Sequence, residues 1–413
     1  MIRAEATGVP SDGMLRRRRR WVVPLLLALL PVALVLGAWM GSDASRLPAS
    51  VRDALGADPQ TDVYDEVMDR LSNAYYRELD RDDLLDRSLE GAVDSLDDRF
   101  SAYFDPDAYA HFQELTEGEF QGVGLSVEAV ERGLRIVSVF DGSPAARAGL
   151  RPGDVVVEAD GTSLRGKTAQ EATALIKGPA GTRVEVTVQR DGGAERTVSL
   201  RRERVAVPVV ESEMRRSRGI DVGHVSLSSF SSGAHGEVAA AFRRLRDDGA
   251  DALVLDLRNN GGGLLNEAVL VSSLFIPDGP IVTTKGRARP SRTFEATGSA
   301  IDTRLPMVVL VNGQSASASE IVTAALRERN RAKVVGTQTF GKGVFQEVIQ
   351  LSNGGALDIT VGEYFTPKGR NLGGGGTKKG SGIAPDVHAE DDAQTRRDEA
   401  LEVAVRTVAR NVT

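Results

Sequence analysis

Three short segments of the 413-residue chain hold side chains whose type and spacing could do chemistry. In the first, Val309-Leu310-Val311 runs through Asn312-Gly313-Gln314-Ser315-Ala316 into Ser317-Ala318-Ser319-Glu320-Ile321, a β-strand that passes through small residues into a helix. That setting can present a nucleophilic hydroxyl, here Ser317, at a helix N-terminus. Taken alone, Ser317 and Glu320 also have the spacing of a capping box, in which the serine only satisfies orphan N–H groups. A hydroxyl nucleophile needs a base, usually histidine. The four histidines, His111, His224, His235 and His388, lie in no motif-like setting, so a Ser-His-Asp triad is not expected. The second segment, Gln338-Thr339-Phe340-Gly341-Lys342-Gly343-Val344-Phe345-Gln346, offers a lysine instead, between two glycines and with no acidic residue until Glu347. A lysine must fall by ~3 units from about 10.4 to act near neutrality, and burial without an acidic partner pushes it that way. Gln346 can hold the amine through an amide hydrogen bond without restoring its charge. In the third segment, Asp256-Leu257-Arg258-Asn259-Asn260 leads into Gly261-Gly262-Gly263. Backbone N–H groups left uncovered there could face a developing oxyanion, although such a turn is also a common plain loop.

These segments need a scaffold, and the sequence past Val209 supplies one. Strands at Val222–Leu227, Ala252–Leu257, Met307–Val311 and Val334–Val335 alternate with helical stretches around 234–248, 266–274 and 317–328. That order predicts an α/β domain with a largely parallel sheet. Sites in such sheets collect beyond the carboxyl ends of strands, where the serine and glycine segments both fall.

Upstream, from Phe120, the pattern changes to short Val- and Leu-rich strands with one helical stretch at Thr168–Ile176. Gln121-Gly122-Val123-Gly124-Leu125, then Ser143-Pro144-Ala145-Ala146-Arg147-Ala148-Gly149-Leu150, then Arg151-Pro152-Gly153-Asp154 follow one another. This succession resembles a PDZ domain over residues 108–203. The resemblance implies that Gly122, Val123, Gly124 and Leu125 offer N–H groups to a peptide's terminal carboxylate while the adjoining strand edge takes up the peptide. Glycine at 122 and 124 suits close approach of a ligand to the backbone.

The N-terminal region is read for location. Arg16–Arg20 precede an uncharged run from Trp21 to Met40, long enough at ~1.5 Å per residue to span about 30 Å of hydrocarbon. A cleaved signal peptide would have a shorter apolar region and a clean small-residue site, which does not follow Ala38. The expectation is a basic cytoplasmic tail (1–20), a single-pass anchor (21–40) and a polar tether (41–59), with the catalytic body outside the cell membrane. Apolar residues at helical spacing (Val63, Val67, Leu71, Tyr75, then Leu84, Leu85, Leu89, Val93, Leu96) predict a helical subdomain over 60–107, a packing element or dimer contact without chemistry. The net charge of −7 divides into +4 before the anchor and −11 beyond it, and an acidic body argues against nucleic acid as partner. With no cysteine, disulfides, thiolate metal sites and cysteine nucleophiles are excluded.

Asn312 through Ile321, followed by Phe340-Gly341-Lys342-Gly343 and Gln346, resembles the signature of the carboxyl-terminal processing (tail-specific) protease family. The interval of 25 residues from Ser317 to Lys342 agrees. Tyr364-Phe365-Thr366-Pro367-Lys368-Gly369-Arg370 and Gly382-Ile383-Ala384-Pro385-Asp386 match further family segments, so the resemblance covers roughly 60–405. It implies a multidomain α/β protein: the PDZ domain, a serine protease core (204–392) resembling the ClpP/crotonase-type spiral, and a C-terminal helix (393–413). It also implies Ser317 as nucleophile, Lys342 as general base, Gln346 as the residue orienting it, and an oxyanion hole from Ala318 N–H with Gly262 or Gly263. Many members have proline where this chain has Gly261, which leaves open which glycine donates. No metal or cofactor is required. The implied partners are C-terminal tails of exported or membrane proteins, with a second copy or an adaptor as further candidates. Two other readings stand beside this one: a catalytically silent PDZ scaffold, and a coenzyme A-binding enzyme of crotonase type, which would need neither the PDZ module nor the Ser-Lys pair.

Overall fold

The computed structural model describes residues 59–376 and 381–412. The expected tail, anchor and nearly all of the tether lie outside the described residues; among the described ones, no helix is long and apolar enough to cross a membrane. Helices α1 (Pro59–Ala74) and α2 (Arg81–Asp94) come first, and the chain divides into two compact units between Leu89 and Glu90, within α2. In the first unit Arg81 reaches Asp69 at 2.6 Å, and the Tyr64 and Ser88 hydroxyls meet at 2.6 Å. The apolar positions Val63, Val67 and Leu71 of α1, with Tyr75 just past its end, are between 38% and 61% exposed.

The second unit opens with β1 (Ala102–Phe104), α3 (Pro106–Glu117) and β2 (Glu119–Gly122). Asp105 caps α3 by accepting from Ala108 N–H, Pro106 stands in its first turn, and Gly118 ends it at φ +69°. The PDZ region follows as β3 (Leu125–Val130), β4 (Gly133–Val139), α4 (Pro144–Arg147), β5 (Val155–Ala159), β6 (Thr162–Ser163), α5 (Ala169–Ile176), β7 (Arg183–Gln189) and β8 (Glu195–Arg201). Its sheet runs β3-β4-β5-β7-β8, which leaves β3 as an end strand. Alternate residues of these strands (Leu134, Ile136, Val184, Val186, Leu200) join Val123 and Ile176 in a separate core. Thr168 and Glu171 close a reciprocal capping box at the start of α5. Strand β9 (Glu203–Ala206) pairs antiparallel with β2, so the chain enters and leaves this region on one ribbon.

The core comprises β10 (Val210–Ser217), β11 (Ile220–Leu227), α6 (Ala234–Asp247), β12 (Ala252–Asp256), α7 (Leu265–Ser273), β13 (Pro280–Lys285), β14 (Arg292–Glu295), β15 (Met307–Val311), α8 (Ala318–Glu328), β16 (Lys333–Gly336), β17 (Val344–Gln350), β18 (Ala356–Phe365), β19 (Val387–His388) and α9 (Glu399–Ala409). The six-stranded sheet β10-β11-β12-β15-β16-β19 is parallel except for its β10–β11 hairpin, as the strand-helix alternation predicts. Leu253, Leu255, Val309 and Val311 face a layer built from α6, α7 and α8. Ala252, Val254, Val308 and Leu310 face α9 through Leu401, Ala404 and Val408. Cover on both faces explains why β12 and β15 read as unbroken apolar runs. A second sheet, β1-β18-β13-β14 with β17 on β18, is antiparallel and carries the lysine segment at its edge. The alternating pattern does not announce it, because β17 and β18 are half-buried and mix polar with apolar residues.

Leu310, with no exposed surface between β15 and α9, tests the three-layer core. Leu310→Ala should lower unfolding free energy by about 2–5 kcal/mol, read from the urea midpoint; a midpoint equal to the parent's would contradict this packing.

Candidate active site

The serine and glycine segments lie side by side because β12 and β15 are parallel neighbours and both end there. Their turns are laced together. Ser315 Oγ donates to the Leu257 carbonyl at 2.7 Å, Ser319 Oγ to the Asn260 carbonyl at 2.9 Å, and Ala316 N–H to the same Asn260 carbonyl at 3.1 Å. Two of the three serines are thus spent on structure, and the middle one is not. Ser317 takes φ +54°, an unfavourable backbone for a residue with a side chain, at the strand-to-helix turn that opens α8. Desolvation pushes the pKa of the buried Tyr364 phenol up to about 12, and the Ser317 side chain acts against that rise.

Gly262 lies against Ser317. A side chain there would stand 2.9 Å from Ser317 Cβ, and its φ of +112° already demands glycine. Its N–H, however, is donated to Asn260 Oδ1 at 2.9 Å. Among the described residues, the N–H groups of Gly263 and Ala318 make no hydrogen bond. Gly261 has open space for a side chain and no positive φ.

Glu320 joins the serine to the lysine segment. Its carboxylate is fully buried and accepts from Ser317 N–H (3.0 Å), Thr339 hydroxyl (2.6 Å), Gly341 N–H (2.8 Å) and Lys342 N–H (2.8 Å). Burial raises its pKa against the pull of those donors. The capping-box spacing read from the sequence therefore conceals a wider role: the carboxylate returns to the Ser317 N–H, as a box requires, and also orders the loop that carries Lys342. Phe340 N–H adds a bond to the Ser315 carbonyl at 3.0 Å.

Lys342 departs from expectation in one respect. Burial lowers its pKa, as its apolar sequence neighbours suggest, but Asp358, Asp98 and Glu320 act in the opposite direction and Arg99 assists burial. The absence of acids near it in sequence is not an absence in space, because β18 and the segment before β1 bring Asp358 and Asp98 from far along the chain. Its Nζ lies 4.6 Å from the centre of the Phe100 ring. Among the described residues it forms no hydrogen bond or ion pair, and none to Ser317. Gln346 is likewise not on the amine: its Nε2 donates to Thr360 Oγ1 at 2.9 Å, since the β17–β18 register places the two opposite each other after a bulge at Phe345/Gln346.

Sequence reasoning missed Asp98, Tyr364, Asp358 and Thr360, for which spacing carries no signal, and the ion-pair group beneath the glycine turn. There Arg258 bridges Asp256 (2.7 Å) and Asp398 (2.8 Å), and His224 Nε2 lies 3.1 Å from Asp256. Burial opposes the Asp256 charge, but hydrogen bonds from His224 and Arg258 outweigh it and hold the carboxyl below its usual range.

In the PDZ region, Gly122, Val123, Gly124 and Leu125 line a cleft with Phe120, Val127, Thr173, Ile176 and Lys177, between β3 and α5. Gly124 has φ +83°, and a side chain there would overlap Ser143 at 2.2 Å. Lys177 Nζ meets Glu114 of α3 at 2.7 Å.

Fold and site together define a PDZ-bearing α/β protein with a serine at a strand-to-helix turn and a half-buried lysine beside it. Residues 221–389 match the family model described as peptidase family S41, and residues 135–190 match that of a PDZ domain. The carboxy-terminal processing protease CtpA of Bacillus subtilis (strain 168) is 33% identical over 91% of this chain and 78% of its own length. A "Probable CtpA-like serine protease" of Staphylococcus aureus (strain COL) is 36% identical over 77% of this chain, which spans 62% of that relative's length. Among solved structures, a photosystem II D1 C-terminal processing protease is 29% identical, with 85% of this chain and 97% of that one covered and a TM-score of 0.47. The chain belongs to peptidase family S41, among its carboxyl-terminal processing serine peptidases.

Removing Glu320 leaves three buried N–H groups and a hydroxyl without their acceptor. Glu320→Ala should destabilise the fold by at least ~3 kcal/mol, measured by denaturant unfolding; a loss under ~1 kcal/mol would show that these donors find other partners.

Proposed function

We propose that the chain cleaves polypeptides through an acyl-enzyme on Ser317, with Lys342 as general base. The observation that carries this reading is the strained Ser317 at the head of α8, beside two unspent N–H groups and a desolvated lysine whose loop is tied to the same buried Glu320. Neutral Lys342 removes the Ser317 proton as Oγ attacks the peptide carbonyl, and the oxyanion forms against Ala318 N–H and Gly263 N–H. Gly263 is favoured over Gly262 because the Gly262 N–H is already given to Asn260. The lysinium then protonates the leaving amine, and water, deprotonated by the same lysine, releases the acid. This sequence requires the Lys342 side chain to close on Ser317; catalytic contacts of this kind commonly tighten only when substrate is bound. Gln346 supports the base through Thr360 rather than by direct contact.

Substrates are chosen, in this reading, by the PDZ cleft. An extended C-terminal tail adds as a strand at the free edge of β3, its carboxylate on the N–H groups around Gly122–Leu125 and its last side chain against Val127 and Ile176. The apolar lining favours apolar C-terminal residues. With the segment 21–40 as membrane anchor and its arginines inside, the body lies on the outer side of the cell membrane, and the tails belong to exported or membrane proteins.

Ser317→Ala and Lys342→Ala should each abolish cleavage of an unstructured protein while leaving the unfolding midpoint near the parent's; cleavage persisting in both would overturn the catalytic assignment. A peptide with an apolar C-terminus should lose at least about tenfold in affinity when its carboxylate is amidated, an effect of ~1.4 kcal/mol in titration calorimetry. Equal binding of acid and amide would remove the PDZ reading alone.

A further inference from the structure

Lys342 is surrounded by more than its catalytic role calls for. Desolvation by itself favours the neutral amine, yet Asp358 and Asp98 act on it in the opposite direction, and its Nζ stands 4.6 Å from the ring of Phe100, whose N–H is donated to Asp98. Asp358 lies on β18, opposite Val348 of β17 and Ala102 of β1, so it occupies the centre of the antiparallel sheet. Its Oδ1 is buried and, among the described residues, has no hydrogen-bond partner. A buried carboxylate oxygen without a donor is costly unless a cation offsets it. Burial, with the Asp98 charge adding to it, raises the Asp358 pKa, and Lys342 is the cation that acts against them.

Asp98 is the second carboxylate. Unlike Asp358 it is well supplied with donors: Ser101 Oγ at 2.7 Å, Phe100 N–H at 3.1 Å and the Thr360 side chain. Burial opposes its charge, but those donors outweigh it and hold it ionised. Thr360 Oγ1 in turn accepts from Gln346 Nε2, and Thr360 N–H donates to Ser101 Oγ at 3.1 Å. Gln346 and Thr360 therefore reach Asp98 through Ser101, whose Oγ accepts from Thr360 N–H and donates to the Asp98 carboxylate. Phe100, held by Asp98 through its own N–H, presents its ring to Nζ, an attraction that exists only for the protonated amine.

We propose that Asp358 and Asp98, with the Phe100 ring, form the counter-ion seat of Lys342: positioning residues that hold its ammonium form away from Ser317 at rest and balance its charge after it has taken the Ser317 proton. The groups facing the lysine are then Asp358 from β18, Asp98 and Arg99 from the segment before β1, and Glu320 from α8, whose charge is engaged by its four donors. Arg99 is turned towards aromatic rings, with its guanidinium 4.7 Å from the Phe100 ring centre and 5.1 Å from that of Phe340. Gln346 belongs to the same device, since it steadies Asp98 through Thr360 and Ser101.

This inference rests on Lys342 being the base. Its test is the rate of Ser317 acylation by a β-lactone, whose ring opens to a Ser317 ester with no separate leaving group, followed from pH 5 to 10 on the full chain. Removing one negative charge from the seat makes the lysine easier to deprotonate, so the acid-side limb for Asp358→Asn should move to lower pH by about 1 unit or more. Asp98→Asn should move it in the same direction, and it carries the test if Asp358→Asn does not fold. A residue that only supports the sheet would lower the rate at every pH and leave the limb in place. An unmoved or raised limb in both folded variants overturns the seat while the base assignment stands, provided Lys342→Ala abolishes acylation. Acylation undiminished in Lys342→Ala overturns both.

Discussion

The arrangement depends on one buried carboxylate. Glu320 accepts four hydrogen bonds, one from Ser317 and three from the segment that bears Lys342. Without it, a strand-to-helix turn on the parallel sheet and a loop at the edge of the antiparallel sheet would keep at this point the single bond from Phe340 N–H to the Ser315 carbonyl. Charge suits the task because a carboxylate offers two oxygens and about four lone pairs, whereas an amide would bring unwanted donors of its own. Burial works against that charge, so the interior must spend donors to keep it, and the donors it spends are those whose positions matter to the site.

The same opposition governs Lys342. Burial favours the amine, nearby carboxylates favour the ammonium, and the balance decides how readily a proton moves. Such opposed influences are typical of sites where a group must exist in two charge states during one cycle. The rest of the core is by contrast one-sided: Leu253, Leu255, Val309 and Val311 on one face, with Val254, Val308 and Leu310 on the other, contain nothing titratable.

What could be read from the sequence follows from distance along the chain. Ser317 and the three glycines could be singled out because strand, turn and helix follow each other within a dozen residues, Ala318 only through the family resemblance, and the parallel sheet because its apolar runs repeat. Lys342 was legible as a lone lysine between glycines. Asp358 and Asp98 were not, because strand pairing brings them to the lysine and no local spacing encodes a register. Gln346 shows the intermediate case: its place in the motif was visible, but the bulge before it sends its amide to Thr360. That Asn260 Oδ1 claims the Gly262 N–H and leaves the Gly263 N–H without a hydrogen bond among the described residues is a matter of side-chain geometry within one turn.

The end strand β3 has a further consequence. An edge left open for a substrate tail is equally open to any extended chain, including an unfolded copy of the protein, and flat open edges invite aggregation. Glu128, paired with Arg135 of the neighbouring strand at 3.0 Å, puts charge on this edge, with Ser126 also polar. The face that carries Ser126 and Glu128 thus discourages promiscuous pairing, while Leu125 and Val127, which line the cleft, stay apolar. Solubility and recognition are in this way divided between the two faces of one short strand.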